Sequence, residues 1–153
     1  RGDRDEMYNL FWTPKNILVP RYLRIGVEER IKADGEILNK LNIAEVKKTI
    51  SFFKDENVNS IAVCLLHSYA NAEHENKIYE MIKNSNFDFQ VSLSHKISGE
   101  FREYERTTTT IIDAFVKGRM SNYLTKIEEG LNKLNFNGEL LDRKSTRLNS
   151  ITS

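Results

Sequence analysis

The feature that most constrains this sequence is an uninterrupted apolar run at residues 60–66, Ser-Ile-Ala-Val-Cys-Leu-Leu. The run lacks the alternation of a half-exposed strand, so it predicts a strand that is covered on both faces. Residues 89–94 predict a second strand, and the segment between the two runs has helical spacing. A strand, a helix and a strand in this order predict a right-handed crossover with the two strands parallel.

Polar side chains follow both predicted strands at their carboxyl ends. His67, Ser68 and Asn71 come directly after the first strand, and His95 follows the second. Parallel strands bring these ends to one edge of the sheet, and ligands bind at that edge in open α/β sheets. We therefore expect His67 and His95 to face one crevice although they are distant in the sequence.

Composition and charge limit the class of protein. A chain of 153 residues with 39% hydrophobic residues suits one domain with a buried core. A formal charge of +1 provides no strong field to hold nucleic acid or an anionic membrane, so neither is an expected partner. The single cysteine, Cys64, falls inside the apolar run, which indicates a buried and unreactive side chain. The sequence shows no signal peptide or membrane-spanning run, so we expect a cytoplasmic location.

The pattern along the chain divides it into three parts. Residues 1–20 contain an aromatic cluster that is followed by two prolines, and they predict an irregular arm, packed on its own core or on a partner. Residues 21–141 predict the folded domain, which opens with a β-hairpin that turns at Asp34 and Gly35. Residues 142–153 have no apolar period and look like translated vector sequence, so we exclude this tail as non-native.

The first two helices have clear start signals. Asn42 and Glu45 predict a capping box at the start of the first helix, which ends near residues 55–57. Asn71 is the predicted cap of the second helix, whose inner stripe includes Glu75. His74 falls on the first turn of that helix, and we interpret it as an exposed polar residue.

The last part of the domain is harder to assign. Ser98 predicts another helix start, with Glu100 in the first turn. Four consecutive threonines at 107–110 disfavour a helix slightly, whereas the apolar spacing beyond them favours one. We predict a helix over residues 109–135, interrupted or kinked near Gly118.

The residues alone leave several kinds of site open. No glycine-rich phosphate loop occurs in the sequence. His67, His74 and His95 could hold a metal only if the fold brings them together, and histidines at strand ends often cap helices instead. Ser68 or Ser94 beside a histidine could form a nucleophile pair, although no nucleophile-elbow pattern surrounds either serine. The alternating charges at 102–106 indicate a solvated helix face.

Several short motifs, which occur in the same order as in a known family, give the chain a resemblance to that family. The segments that carry it are residues 7–12, 29–36, 64–75, 91–95, 100–107 and 113–116. On these segments the chain resembles the N-terminal region of the hydantoinase A/5-oxoprolinase family, over about residues 4–141. The sequence departs from the family at Ala72 and Gly99, where proline is frequent, and it lacks the family's first Asp-Gly-Gly-Thr phosphate loop.

The resemblance implies a fold and a reaction. The fold is α/β, a partial actin/sugar-kinase-like (ribonuclease H-type) domain with a parallel strand-helix-strand unit, an N-terminal β-hairpin and a long C-terminal helix. The reaction is ATP-dependent opening of cyclic amides such as 5-oxoproline or N-substituted hydantoins, with Mg²⁺ and a hydantoinase B-type subunit or domain as partner. Without the first phosphate loop, we expect this chain alone to be inactive and to bind no cofactor.

The resemblance also implies a set of pocket residues at the predicted edge. The set is His67, Ser68, Asn71, His95, Glu100, Arg102, Glu105 and Arg106. In this interpretation the two histidines line the crevice, an arginine holds a carboxylate or phosphate, and a glutamate orients that arginine. The alternative is a non-catalytic binding or assembly module of a multi-subunit complex, such as an enzyme of the acetone-carboxylase type.

Overall fold

A computed structural model describes Tyr8, residues 17–136 and Gly138, together with the backbone of residues 141–144 and 147–150. After a short 3-10 helix the chain forms a β-hairpin and then two helix-strand pairs. These elements are β1 (Arg30–Ile31), β2 (Ile37–Asn39), α1 (Ile43–Asp55), β3 (Ser60–Val63), α2 (Glu73–Lys83) and β4 (Gln90–Leu93). The chain continues through α3 (Ser94–Ile97), α4 (Glu103–Lys133), β5 (Leu141–Lys144) and β6 (Arg147–Ser150).

The parallel strand-helix-strand unit is confirmed. β3 and β4 pair in parallel from Ser60 opposite Gln90 to Val63 opposite Leu93, and α2 connects them. Both strands are shorter than the apolar runs predicted. The first run leaves the sheet after Val63 to form a loop, and Ser94 already belongs to α3.

Helices cover both faces of this two-stranded sheet, as the continuous apolar run predicted. On one face, Ile61, Val63 and Leu93 join buried side chains of α1 and α2 in a single core. On the other face, Ser92 donates a hydrogen bond to Asp113 of α4, with an oxygen–oxygen distance of 2.5 Å. Cover on both faces explains why the run that contains β3 shows no polar alternation.

The predicted hairpin is present, with a turn one residue longer than expected. Lys32 N donates to Glu36 O at 2.9 Å and Gly35 N donates to Lys32 O at 3.0 Å, which leaves three residues in the loop. Gly35 has a φ of 88°, the left-handed conformation that such a loop requires at its last position. Residues 21–23 form the 3-10 helix and are not part of the hairpin strands.

The start of α1 confirms the cap and corrects the capping box. Asn42 Oδ1 accepts a hydrogen bond from Glu45 N at 3.3 Å, as predicted. The carboxylate of Glu45 does not return to Asn42, because Glu45 Oε2 accepts from Glu28 N at 2.7 Å. The backbone N–H of Asn42 donates instead to Glu28 O at 2.9 Å. A tertiary contact thus replaces the local one.

The helix predicted over 109–135 is a single helix that starts earlier, at Glu103, and does not start at Ser98. Thr109 Oγ1 and Thr110 Oγ1 donate to carbonyls one turn back, at 2.8 and 2.7 Å, so these threonines are accommodated inside the helix. Gly118 does not interrupt the helix. A Cβ at this position would lie 2.7 Å from Gln90 Oε1, so the missing side chain makes room for β4.

The two ends of the chain are described only in part. Of the predicted arm, residues 1–7 and 9–16 lie outside the described residues, and Tyr8 is exposed. In the tail, β5 and β6 pair antiparallel, with Leu141 opposite Ser150. The assignments of an aromatic arm and of a non-native tail stay predictions. No helix in the described part of the chain is both long and apolar enough to cross a membrane.

Candidate functional site

The carboxyl ends of β3 and β4 meet at one edge of the sheet. Ser68 follows β3 and Ser94 follows β4, and their hydroxyl oxygens lie 2.9 Å apart. Both side chains are buried. The parallel pairing therefore places the predicted polar groups at a common edge, where His67 and His95 stand next to these two serines in the sequence.

A fully buried carboxylate lies at the centre of this edge. Glu75, on the inner face of α2, is 0% exposed. Its Oε1 accepts from Leu65 N at 2.9 Å and from Ser94 Oγ at 2.6 Å. Its Oε2 accepts from His95 N at 3.1 Å and from His95 Nδ1 at 2.7 Å. Four donors from both strand ends thus converge on one side chain, as a buried carboxylate requires.

A buried guanidinium completes the arrangement. Arg106, in the first turns of α4, is 3% exposed. Its Nε donates to Ser94 Oγ at 3.2 Å, Nη1 to Glu100 O at 2.8 Å and Nη2 to Leu65 O at 3.0 Å. Its Cζ lies 5.5 Å from the centre of the Tyr69 ring, within cation–π range. We call Ser68, Glu75, Ser94, His95 and Arg106 the Glu75 cluster.

The hydroxyl of Ser94 links the two charges of the Glu75 cluster. A serine has one proton to donate and can accept two hydrogen bonds. A carboxylate and a guanidinium fix these roles, because Glu75 only accepts and Arg106 only donates. Ser94 therefore donates to Glu75 and accepts from Arg106, which leaves Ser68 to donate to Ser94. Both serines are engaged in this way, so the geometry does not favour a serine–histidine nucleophile pair.

His67 and Asn71 shape the loop after β3. His67 has a φ of 56°, and its carbonyl accepts from the amides of Ala70 and Asn71 at 2.9 and 3.2 Å. Its Nδ1 lies 3.2 Å from Tyr69 Oη. The prediction that Asn71 caps α2 is wrong by one residue, because the N-cap is Ala72. Asn71 Oδ1 accepts from Glu73 N at 2.9 Å, and Asn71 Nδ2 donates to Gly35 O at 2.9 Å. Asn71 thus connects the β1–β2 hairpin to the start of α2.

The prediction that His74 is exposed is wrong. Its side chain is 1% exposed, and its Nδ1 lies 2.7 Å from Glu29 Oε2, which is also buried. The helix position alone suggested solvent exposure, but the hairpin covers this turn of α2. A buried imidazole needs a polar partner, and Glu29 provides it from a different element.

We expect Glu29→Ala to lower the free energy of unfolding by about 1–3 kcal/mol, because it leaves the buried His74 ring without its acceptor. Urea unfolding, monitored by circular dichroism, measures this change in free energy. Glu28→Ala is the matched control, since the Glu28 side chain is exposed while its backbone bonds remain. Equal losses in the two variants would contradict a specific role for the Glu29–His74 pair.

The charged residues at 100–106 separate into two groups. Glu100, Arg102, Glu103 and Glu105 are exposed, as predicted for a solvated face, whereas Arg106 is buried and contradicts that interpretation. Glu100 contributes its backbone carbonyl to Arg106. A role of Glu100, Arg102 or Glu105 in a pocket stays a prediction.

Cys64 is held as a protonated thiol. It is partly buried beside α4, and burial, opposed by hydrogen bonding to Thr110, raises the pKa of the thiol to about 11. At pH 8 only about one thiol in a thousand is then ionised. We expect slow reaction of the folded chain with Ellman's reagent at pH 8 and rapid reaction in guanidinium chloride. Rapid labelling of the folded chain would contradict this prediction.

The histidines do not form a metal site with each other. Each ring has its own partner, namely Tyr69 for His67, Glu29 for His74 and Glu75 for His95. Within residues 17–136, no group of three or more histidine, cysteine, aspartate or glutamate side chains could hold a metal ion.

A cavity of about 770 Å³ runs along the edge of β3 that faces away from β4. Residues 18–29 line it together with side chains of α1, β3 and α4, and it extends to Leu65 after β3 and to Thr107 near the start of α4. The hydrogen-bonding chemistry of this edge therefore lies at one end of the cavity and not inside it.

Sequence reasoning missed the residue that organises the edge. The helical pattern places Glu75 on the inner face of α2 but does not mark it as a pocket residue, and it does not mark Tyr69. A signal for Glu75 was present, because a carboxylate in a stripe with Ile78 and Ile82 must find buried donors. The identity of those donors depends on how the strands pair.

Comparison with known proteins places the chain in a family. Residues 1–86 match the hydantoinase/oxoprolinase N-terminal region. An uncharacterized protein of Methanocaldococcus jannaschii is 38% identical over 95% of this chain and 22% of its own length. The alpha subunit of a caprolactamase from Pseudomonas jessenii is 31% identical over 79% of this chain and 17% of its own length.

A solved structure agrees with these matches. The crystal structure of the ATP-dependent caprolactamase from Pseudomonas jessenii superposes with a TM-score of 0.79 and 28% identity, over 88% of this chain and 19% of that one. The chain thus spans about a fifth of the length of these relatives. It belongs to the hydantoinase/oxoprolinase family and matches the N-terminal region of that family.

Proposed function

We propose that this chain is part of a subunit of an enzyme that uses ATP to open cyclic amides, such as lactams, hydantoins or 5-oxoproline. The observation that carries the proposal is the likeness to an ATP-dependent caprolactamase over 88% of the chain, at a TM-score of 0.79. Because the matched relative is an alpha subunit, we also propose a partner subunit of the hydantoinase B type.

The edge at the ends of β3 and β4 is the proposed substrate side of the domain. It presents the partly exposed ring of His95 against the buried carboxylate of Glu75, and the partly exposed ring of His67 lies beside Tyr69 in the loop after β3. Hydrogen bonds to both strand ends hold this carboxylate in place, and preorganised groups of this kind position substrates well.

The described residues do not fit a complete site for ATP and Mg²⁺. The sequence has no glycine-rich phosphate loop, and the carboxylate of Glu75 is occupied by four protein donors. We therefore propose that the phosphates and Mg²⁺ bind to parts of the enzyme other than the Glu75 cluster.

We expect the purified 153-residue chain to release no phosphate from ATP, with or without caprolactam, hydantoin or 5-oxoproline. The reason is that the phosphate-binding groups are incomplete in this sequence. A coupled phosphate assay measures the release. Phosphate release that a cyclic amide stimulates in the pure chain would contradict this prediction.

The function itself is tested in the assembled enzyme that contains this chain and its partner subunit. We expect ATP-dependent release of the ring-opened amino acid from at least one of the three cyclic amides, measured by chromatography. His95→Asn should lower turnover while the two subunits still co-elute in gel filtration. Loss of co-elution in this variant would support the assembly-module alternative instead.

A further inference from the structure

The ring of His95 is held by one nitrogen and accessible at the other. Its Nδ1 lies 2.7 Å from Glu75 Oε2, and its backbone amide donates to the same oxygen at 3.1 Å. The two contacts fix both the ring and the chain that carries it. The carboxylate is 0% exposed, whereas the side chain of His95 is 15% exposed, so the accessible part is the edge remote from Glu75.

This geometry selects one tautomer. A carboxylate only accepts hydrogen bonds, so the neutral ring must carry its proton on Nδ1. The lone pair then lies on Nε2, at the accessible edge. Within the described residues, Nε2 has no hydrogen-bond partner and is not a buried unpaired atom.

We infer that His95 is the proton acceptor for the water that attacks a cyclic amide and that Glu75 is its positioning residue. This inference rests on the proposed function. The oxygen of the water forms a bond to the amide carbon, the π electron pair of the carbonyl moves to its oxygen, and the proton of the water goes to Nε2. When the carbonyl re-forms and the carbon–nitrogen bond breaks, the ring nitrogen of the substrate takes that proton from Nε2. Glu75 stays ionised and stabilises the imidazolium between the two steps.

Residues that the family resemblance grouped together therefore have different roles. Ser68 and Arg106 are buried and hydrogen-bond to Ser94, which in turn donates to Glu75, and these hydrogen bonds do not include the His95 ring. Lys96 follows His95 in α3 and is exposed, so it offers a control that changes the same short helix without touching the Glu75 cluster.

The first test is spectroscopic and needs no activity. Long-range ¹H–¹⁵N correlation spectra of the 153-residue chain, recorded where the His95 ring is neutral, should show Nδ1 protonated and Nε2 unprotonated. In Glu75→Asp, the shorter carboxylate cannot reach both His95 and the donors of Leu65 and Ser94. The preference for a proton on Nδ1 should therefore weaken. A ring protonated on Nε2 in the unaltered chain would overturn the inference.

The second test uses the assembled enzyme with ATP and a cyclic amide that it hydrolyses. His95→Ala should lower kcat by about 10²–10⁴-fold with little change in KM, and added imidazole should restore part of the rate. Lys96→Ala should keep the unaltered rate. A loss through KM alone, or a loss that imidazole cannot relieve in a folded and assembled variant, would overturn the role of His95. If the unaltered assembly has no ATP-dependent amidase activity, the proposed function and the base role both fail, and the spectra still decide whether Glu75 positions the ring.

Discussion

Replacing Glu75 by glutamine should lower the free energy of unfolding by about 3–5 kcal/mol, the cost typical of breaking a buried charge arrangement by removing one member. The amide group has one accepting oxygen, so its NH₂ must face either the Leu65 and Ser94 donors or the two His95 donors. The substitution also removes the carboxylate that is linked through Ser94 Oγ to the buried guanidinium of Arg106. Urea unfolding at neutral pH measures the loss.

Glu73→Gln is the matched control on the same turn of α2. Glu73 is exposed and pairs with Lys77 one turn along, with Oε1 and Nζ 2.5 Å apart. Exposed pairs of this kind contribute little to stability because water screens them. A loss in Glu73→Gln that equals the loss in Glu75→Gln would show that a negative charge near the start of α2, and not the Glu75 cluster, accounts for the effect.

The parts of the fold that the sequence predicted are those set by local patterns. The apolar run at 60–66 predicted a strand buried on both faces, and Asn42 marked the start of α1 through a hydrogen bond within its own turn. The family resemblance and the solved structure agree with a mixed α/β fold. The actin/sugar-kinase-like assignment, which concerns more strands than the described residues contain, stays a prediction.

The errors concern residues whose partners are distant in the sequence. His74 meets Glu29 across 45 positions, and Arg106 meets Leu65 O across 41. A helical wheel shows on which face of its helix each side chain lies. It contains no information about which loop or hairpin covers that face. The same limit applies to the alternating charges at 102–106, which look alike in the sequence. Only the packing of α4 against β3 makes Arg106 buried and leaves Arg102 exposed.

The sequence predicted that polar residues share this edge of the sheet, but it did not predict what each of them does. The rule predicted that the ends of two parallel strands share an edge, and Ser68 and Ser94 meet there, whereas the expected meeting of His67 and His95 stays a prediction. The rule could not show that a glutamate from the connecting helix would occupy the space between the two serines. That arrangement depends on the register of β3 against β4, which side-chain periodicity does not specify on its own.

Arg106→Met should cost about 3–5 kcal/mol of unfolding free energy, whereas Arg102→Met should stay within about 0.5 kcal/mol, because Arg102 is exposed and Arg106 is buried. Arg106→Lys should fall between them, since an ammonium group cannot reach Ser94 Oγ, Glu100 O and Leu65 O from one point. Urea unfolding of all three variants gives the comparison.

The decisive measurement is a double-mutant cycle between Glu75→Gln and Arg106→Met. Ser94 Oγ contacts both residues, at 2.6 Å from Glu75 Oε1 and 3.2 Å from Arg106 Nε, so the two charges stabilise each other through one hydroxyl. Removing the second charge after the first should therefore cost less than removing it alone, with an interaction energy of about 1–3 kcal/mol. Additive losses would mean that the guanidinium and the carboxylate are held independently. In that case each charge would be stabilised by its other contacts, and the hydroxyl of Ser94 would not couple Glu75 to Arg106.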